Sequence, residues 1–499
     1  MAGKKKIAVI GSGLGGMSAA ARLAHAGFAV DLYEQNEKPG GKANEFFLNG
    51  FRFDTGPSLL TMPFVLRELF EDLGEKFEDF VELKRLNIIC KYFWDDGTII
   101  NAHNDNKKFA EEIEFKTKDS AESVLKYLKY SEKIYDLTAK LFLFNGLSEF
   151  NNVFSLNALK TLFQIHKIDP FRTMHQANKK YFIDEKTIQL FDRYATYNGS
   201  SPFKAPATLN IIQHVEYNLG AFVSNMGMYS IVDAIYKLAL KNGVEFLFNS
   251  KVEKIIQDSR KISGLEIRRG EKTEIRKYDA VISNADVSFT FDKLLNAKDE
   301  NPINKKNLEP SSSAFIFYWG IKGIHKELDV HNILFSNNYE KEFHDLFELK
   351  KCGDDPTVYT YISSKFNTAD APKGCENWFV MINAPANYGQ DWQSEKYRLR
   401  EIIINKIKSV LKIDISEKII AEKIISPADL ELNTSSARGS IYGISSNNKY
   451  AAFVRQKNKS RKYNGLYFCG GSAHPGGGIP LVLLSGKITA DMVARYEND

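Results

Sequence analysis

The sequence predicts an α/β protein: a Rossmann-type parallel sheet, a second sheet interleaved with it, and a helical segment between them. Three observations predict this. A short β-rich run, residues 6–10, feeds straight into Gly11-x-Gly13-x-x-Gly16, and small residues follow from Met17 to Ala21. A second β-rich run, residues 28–33, closes on an acid, Glu34. Near the far end a third apolar run, residues 465–469, enters a glycine-rich loop that opens another helix. The first two have the grammar of a dinucleotide-binding βαβ unit.

Each residue type in that unit has a physical reason. Gly11 permits the tight turn from strand to helix. Gly13 lets the backbone approach a pyrophosphate with no Cβ in the way, and Gly16 lets the helix pack close to the sheet. Gly15 belongs to the same small-residue loop. The phosphates then meet the helix N-terminus, where free N–H groups and the helix dipole favour negative charge. The helix is expected to run to about Ala26 with Gly27 as its stop. Glu34 puts a carboxylate where an adenosine ribose offers its hydroxyls.

Beyond Glu34, Gly40-Gly41-Lys42 brings backbone close to the ligand again, and Lys42 could reach a phosphate. Phe51 to Phe53 read as a strand end. Gly56-Pro57 reads as a turn, with Ser58 leading into a helix that carries Leu59, Leu60, Phe64, Leu66, Leu69 and Phe70 and stops at Gly74. Residues 86–103 form a hairpin across Asp95-Asp96-Gly97. Residues 120–217 turn mainly helical and rich in Phe, Leu and Tyr. Within them, residues 142–163 are apolar and basic, which fits both a helical core and a pair of membrane-surface helices.

Residues 227–239 read as a helix, 244–248 as a strand, and 250–256 with 261–267 as a strand pair. Residues 278–286 return the chain to the nucleotide sheet, with Val252 near the adenine end and Asn284 near the phosphates. Strands near 313–320, 358–363 and 378–383 and a helix near 394–411 build a second sheet. No linker marks a boundary, so the domains are expected to interleave. Residues 1–85, 225–300 and 425–499 form the nucleotide-binding part; 86–119 and 301–424 form a substrate-binding sheet; 120–224 form a helical subdomain.

Composition narrows the classes. The 499 residues suffice for two or three domains. A net charge of +5, from 67 basic and 62 acidic residues, does not call for nucleic acid. The 35 Phe and 23 Tyr can build a core or line an apolar channel. No two of the four cysteines form a CxxC pair, so no metal site is expected and a reduced, cytoplasmic protein is the default. The first strand begins too early for a signal peptide. No apolar run approaches the ~20 residues that span a bilayer. The chain is therefore expected to be soluble or to sit on a membrane surface.

The C-terminal stretch selects the cofactor. Gly470-Gly471-Ser472 is followed by Ala473 to Gly477, then Gly478-Ile479-Pro480 and a helix to about Tyr496. A second helix N-terminus there suits the negative charge that a reduced flavin carries around N1 and its neighbouring carbonyl. NAD would not need this second site, so glycine motifs at both ends of the chain point to FAD.

Together, Gly11 to Gly16 with Glu34, Gly40-Gly41-Lys42, Phe53-Asp54-Thr55-Gly56-Pro57-Ser58, Ser283-Asn284-Ala285-Asp286 and the stretch from Gly471 to Pro480 resemble the bacterial carotenoid (phytoene) desaturases, essentially end to end. The segments Arg193 to Pro202, Ala205 to Asn210 and His214-Val215-Glu216 most resemble the 1-hydroxycarotenoid 3,4-desaturase branch (methoxyneurosporene dehydrogenase-like) of that family. At Asn225-Met226-Gly227-Met228 the chain departs from the Gly-Gly-Met usual there.

The resemblance implies the Rossmann-type FAD-binding fold of the amine oxidase and phytoene desaturase kind. It implies FAD, a polyene drawn from the membrane, introduction of one C=C bond, and attachment to the inner face of the cell membrane. Asp169 and Arg172 match the region where the family places an acid and an arginine near the substrate. Hydride would leave an allylic carbon for the flavin while Asp169 takes a proton from its neighbour and Arg172 orients Asp169 or a substrate hydroxyl. His214 and Glu216 are the next candidates for the base, and His474 is expected to be structural. Oxygen and a quinone both fit as electron acceptor. Phytoene desaturation, amine oxidation on the same fold, and a non-enzymatic lipid-binding escort are the alternatives.

Overall fold

A computed structural model describes residues 4–139, 168–448 and 455–497. The apolar and basic stretch 142–163 lies outside these residues. Five short strands form an all-parallel sheet in the order Leu466–Phe468, Ala280–Ser283, Lys6–Ile10, Ala29–Tyr33, Glu245–Leu247. Strand alternation sends its side chains to two different neighbours. Ile7, Val9, Val30 and Leu32 pack on helices Leu14–His25, Tyr229–Lys241 and Ile479–Glu497. Ala8, Ile10 and Tyr33 pack on an antiparallel meander of Lys251–Asp258, Lys261–Arg269 and Lys272–Lys277.

The second sheet has seven strands, in the order Ile419–Ile425, Ser313–Lys322, Cys375–Ala384, Val358–Tyr361, His331–Leu334, Ile88–Phe93, Ile99–His103. One face, with Phe315, Phe317, Trp319, Trp378 and Val380, is covered by helix Trp392–Leu411. The other face is divided. Ile316, Tyr318, Tyr361 and Phe379 cluster with Phe51 and Phe53 from the nucleotide-binding side. Tyr92, Trp94, Ile333 and Phe335 cluster with the helical layer that includes Ala121–Thr138 and Glu185–Asp192. The chemistry-bearing loops converge between this divided face and the five-stranded sheet.

The structure departs from expectation at several elements. The helix expected from Leu59 starts at Pro63, its first helical position, and runs to Glu71. Leu60 instead exchanges two backbone hydrogen bonds with Phe222, each 2.8 Å, and Met62 takes a left-handed conformation (φ 51°) before the helix. Proline cannot donate within a helix but suits its first turn, so Pro63 fixes the start. Lys272–Lys277 was not expected as a strand because its residues are polar and mostly exposed, as a sheet edge allows. His331–Leu334 and Ile419–Ile425 are two further strands that local pattern did not reveal.

Candidate active site

The glycine turn is organised around one amide. Asn284 follows strand Ala280–Ser283, and its Nδ2 donates to the Gly11 carbonyl at 3.2 Å. A Cβ on Gly13 would lie 2.7 Å from Asn284 Nδ2, one on Gly15 2.9 Å from its Oδ1, and one on Gly470 2.6 Å from its Oδ1. All three glycines leave room for the same side chain. A Cβ on Gly16 would collide with the Gly11 carbonyl, so Gly16 closes the turn against its own first residue. A Cβ on Gly15 would also lie 3.0 Å from the Val482 carbonyl of the C-terminal helix, and Ser18 Oγ donates to the Leu483 carbonyl at 3.2 Å. Gly15 therefore also serves helix packing.

Glu34 is buried, with its oxygens aimed back at the turn. Oε2 accepts from Ser12 N–H at 2.9 Å and Ser12 Oγ at 2.7 Å; Oε1 accepts from Asn36 N–H at 2.9 Å and Asn36 Nδ2 at 2.8 Å. Four bonds use the carboxylate's capacity. Two of the donors, Ser12 Oγ and Asn36 Nδ2, are rotatable and can give way to a ribose diol. Val252 packs in the cluster with Tyr33 and Ile10, and Ser250 N–H donates to the Glu34 carbonyl at 2.8 Å, which puts this strand beside Glu34.

Gly40 pairs with Gly13 as an isolated bridge, and Gly41 (φ 61°) comes within ordinary contact of Gly13. The Lys42 ammonium has backbone partners from the far end of the chain. Its Nζ donates to the carbonyls of Ser440 at 3.0 Å and Ile441 at 2.9 Å. The side chain keeps accessible surface, although protein packs closely around it. Burial pulls its ammonium down to about 8, with Asp286 opposing.

A Cβ on Gly56 would collide with the Lys42 carbonyl. Gly56 and Pro57 line a small cleft together with Leu14, Ala43, Val232 and Ile479. Thus the first residues of two long helices, Leu14–His25 and Ile479–Glu497, meet at one cavity. Ser58 Oγ lies 2.6 Å from Tyr359 OH on the seven-stranded sheet. Asp54 caps helix Tyr229–Lys241, accepting from Met228 and Tyr229 N–H at 3.2 and 3.1 Å, and is held by Arg52 Nη2 at 2.7 Å. A Cβ on Gly227 would overlap the Arg52 guanidinium, while Met226 is exposed. The departure from Gly-Gly-Met thus falls on the position that points outward.

At the C-terminal motif, Ser472 Oγ accepts from Val287 N–H at 3.0 Å, and the Gly471 carbonyl accepts from Arg455 Nη1 at 3.1 Å. Gly478 (φ 101°) and Pro480 set the start of the last helix, where Ile479 faces the cavity. The His474 carbonyl accepts from Ser485 Oγ at 2.7 Å and Asn458 Nδ2 at 2.9 Å, a structural use. Sequence reasoning missed Arg455, for which no local signal exists. It is buried, its other bond is to the Tyr442 carbonyl at 3.0 Å, and burial lowers it to about 10. Neither Lys42 nor Arg455 has an ion-pair partner among the described residues. Buried cations are normally paired, so the unpaired Arg455, with the more exposed Lys42 beside the glycine motifs, fits an anionic dinucleotide such as FAD.

Asp169 and Arg172 are brought together elsewhere. Asp169 is left-handed (φ 54°) just before Pro170, and its carboxylate accepts from Arg172 Nε at 3.0 Å on both oxygens and from Tyr130 OH at 2.7 Å. The Asp169 hydrogen bond raises Arg172. Phe171, between them, is 73% exposed. Glu216 is fully buried on a π-helical turn, His214–Asn218, where Arg193 Nη2 at 3.0 Å, Tyr194 OH at 2.6 Å and Tyr197 OH all donate to it. His214 bonds Asn218 Nδ2 at 2.7 Å, and burial lowers its pKa.

The family model described as flavin containing amine oxidoreductase matches residues 14–289. The chain is 44% identical to the 1-hydroxycarotenoid 3,4-desaturase of a Flavobacterium species, over 98% of this chain and 99% of that protein. It is 32% identical to the 4,4'-diaponeurosporene oxygenase of Staphylococcus haemolyticus, over 99% and 98%. Among solved structures it resembles putrescine oxidase bound to putrescine (TM-score 0.60, 12% identity, 99% of both chains). It also resembles cyclohexylamine oxidase from Brevibacterium oxydans (TM-score 0.56, 13% identity, 100% of both chains).

Proposed function

The chain belongs to the flavin-containing amine oxidoreductases, and from that membership we propose that it is an FAD-dependent carotenoid desaturase acting at C-3,4 of a 1-hydroxycarotenoid. One observation carries the reading: 44% identity, end to end, to a desaturase with that activity. The cleft with two unpaired cations supports the cofactor part of it.

Bound FAD supplies a two-electron acceptor, so that one allylic carbon can lose a hydride while its neighbour loses a proton and the C=C bond forms. The chain's own task is to hold the cofactor, exclude water and receive the proton. Gly11, Gly13 and Gly16 shape the phosphate turn with Gly41 against it, Gly56 opens the cleft, and Glu34 takes the ribose. Lys42 and Arg455 balance negative charge, and Ser472, Gly478 and Pro480 shape the far wall. Asp169 receives the proton, held in place by Arg172 and Tyr130.

The polyene reaches the site from a membrane surface on which the protein sits peripherally. Phe171, Ile183 and Phe115 are exposed, as are Lys118, Lys179 and Lys180 near them in sequence, a combination suited to an acidic lipid interface. Ile183 N–H donates to Asp119 at 2.8 Å, which brings the chain around Asp119 next to Ile183. No helix among the described residues is long and apolar enough to cross a membrane.

The experiment is anaerobic flavin bleaching. Purified protein receives carotenoids in liposomes with and without a 1-hydroxyl, alongside simple amines. Bleaching by the hydroxycarotenoid, with a product two hydrogens lighter, is the expected result. Bleaching by phytoene instead keeps the desaturase and discards the branch, and bleaching only by amines sinks both. Readmitting oxygen, or adding a quinone, then identifies the electron acceptor.

A further inference from the structure

The divided face of the seven-stranded sheet carries a polar row that the glycine motifs do not use. It starts at the cleft: Ser58, next to Gly56-Pro57, contacts Tyr359 OH, and Tyr359 OH lies 2.8 Å from His331 Nδ1. His331 stacks on Tyr361 at 5.1 Å, its cross-strand partner. It is 3% exposed, and its Nε2 has no hydrogen-bond partner among the described residues. Buried polar atoms left unmet are costly and rare.

The chemistry of the missing partner can be read from the ring. Burial, with the nearby Arg193 charge adding to it, brings His331 down to about 3, so the imidazole is neutral at physiological pH. One ring nitrogen then donates and the other accepts. When Nδ1 donates to Tyr359, Nε2 accepts; when Tyr359 donates to Nδ1, Nε2 donates. A hydroxyl satisfies either tautomer, whereas a carbonyl or an ammonium satisfies only one.

We propose that His331 Nε2 receives the terminal hydroxyl of the polyene substrate, with Tyr359 and Ser58 as positioning residues. The inference rests on the desaturase reading above. The hydroxyl-bearing carbon stands only a few bonds from the C-3,4 bond, so its receptor must adjoin the redox site. The row from Ser58 to His331 begins at the loop that lines the cleft. Asp169 and Arg172 cannot serve as the same receptor while they are bonded to each other and to Tyr130 beside exposed Phe171.

The test uses oxidised holoenzyme and a non-reacting probe: the 3,4-didehydro-1-hydroxycarotenoid product in liposomes. Its 1-methyl ether and the polyene lacking the oxygen are compared with it. Binding is read at equilibrium from the shift of the flavin spectrum, and anaerobic bleaching by the matching substrates is followed in parallel. The wild type is expected to bind the hydroxylated polyene about 10- to 100-fold tighter than the other two. His331→Phe removes that preference by weakening the hydroxylated polyene alone. His331→Gln, which keeps a donor and an acceptor, retains part of it, and Tyr359→Phe lowers it by a smaller factor. If His331→Phe loses flavin, the other two variants decide. Equal weakening for all three polyenes, or an unchanged preference in the variants, overturns the proposal and leaves the desaturase standing. A wild type that responds to no carotenoid sinks the desaturase reading and this inference with it.

Discussion

The side-chain amide of Asn284 donates to the Gly11 carbonyl at 3.2 Å and fills the space a Cβ on Gly13 would need. Two explanations for Gly13 therefore coexist: room for Asn284 and room for a pyrophosphate. They separate experimentally. Gly13→Ala is expected to lower both Tm and flavin content. Adding Asn284→Ala removes the first obstacle, so the double variant regains most of the lost Tm. It does not regain flavin, because the Cβ still blocks close approach of the phosphates. Absorbance at the flavin band per mole of protein, with thermal melts, checks this; recovered flavin in the double variant would falsify the phosphate role.

The glycine turn was legible because its constraints are local: Gly11, Gly13 and Gly16 are fixed by one turn, and Glu34 by the strand beside it. Asp169 and Arg172 were legible only through resemblance. His331, Tyr359 and Arg455 were not legible, for a physical reason. His331 meets Tyr359 through the pairing of His331–Leu334 with Val358–Tyr361, and Tyr359 meets Ser58 across the chain. Arg455 meets Gly471 only when the loop folds back on it. No spacing in the sequence records such encounters. Lys42 lay between these cases: its motif identified the cleft, but its partners, the carbonyls of Ser440 and Ile441, come from the far end of the chain.

Lys42 makes cofactor affinity depend on pH. Its folded value, about 8, lies below its ordinary 10.5 because the ligand-free cleft disfavours the ammonium. Below about pH 8 the group destabilises the ligand-free fold, and that cost fades as pH rises toward 10.5, where the unfolded chain also loses the proton. An anionic cofactor reverses the preference and draws a proton onto Lys42. FAD affinity is therefore expected to fall as pH rises from 7 to 9, with proton uptake on binding at the upper end. Flavin fluorescence titrations of the wild type and Lys42→Met test this. A flat profile in the variant and a sloping one in the wild type is the expected pair.

Gly227 and Arg52 form a steric lock. Gly227 has φ 82°, and its missing Cβ leaves room for the guanidinium that holds Asp54, Glu45 and Asp370. Gly227→Ala is expected to cost more than about 2 kcal/mol, since it adds backbone strain to a clash with a buried ion-pair network. Met226→Gly, one residue earlier and exposed, is expected to change stability by less than about 1 kcal/mol. Urea unfolding of both variants measures the contrast. Similar losses in the two would mean that the family's first glycine matters here as well.

Asp169 and Arg172 carry the last prediction, which separates proton transfer from fold support. Asp169→Asn keeps the size of the side chain and can still bond Tyr130, but it removes the proton acceptor. Bleaching by a hydroxycarotenoid is expected to slow by about 100-fold or more, with flavin content and carotenoid binding unchanged. Arg172→Gln frees the carboxylate without deleting it, so its effect is smaller. The remaining carboxylate is then held by Tyr130 alone, and a shift in the pH profile of the bleaching rate is expected. A merely structural pair would lower Tm in both variants and leave the pH profile in place. If Asp169→Asn bleaches at the wild-type rate, the proton goes elsewhere, and buried Glu216, held by Arg193, Tyr194 and Tyr197, becomes the residue to replace.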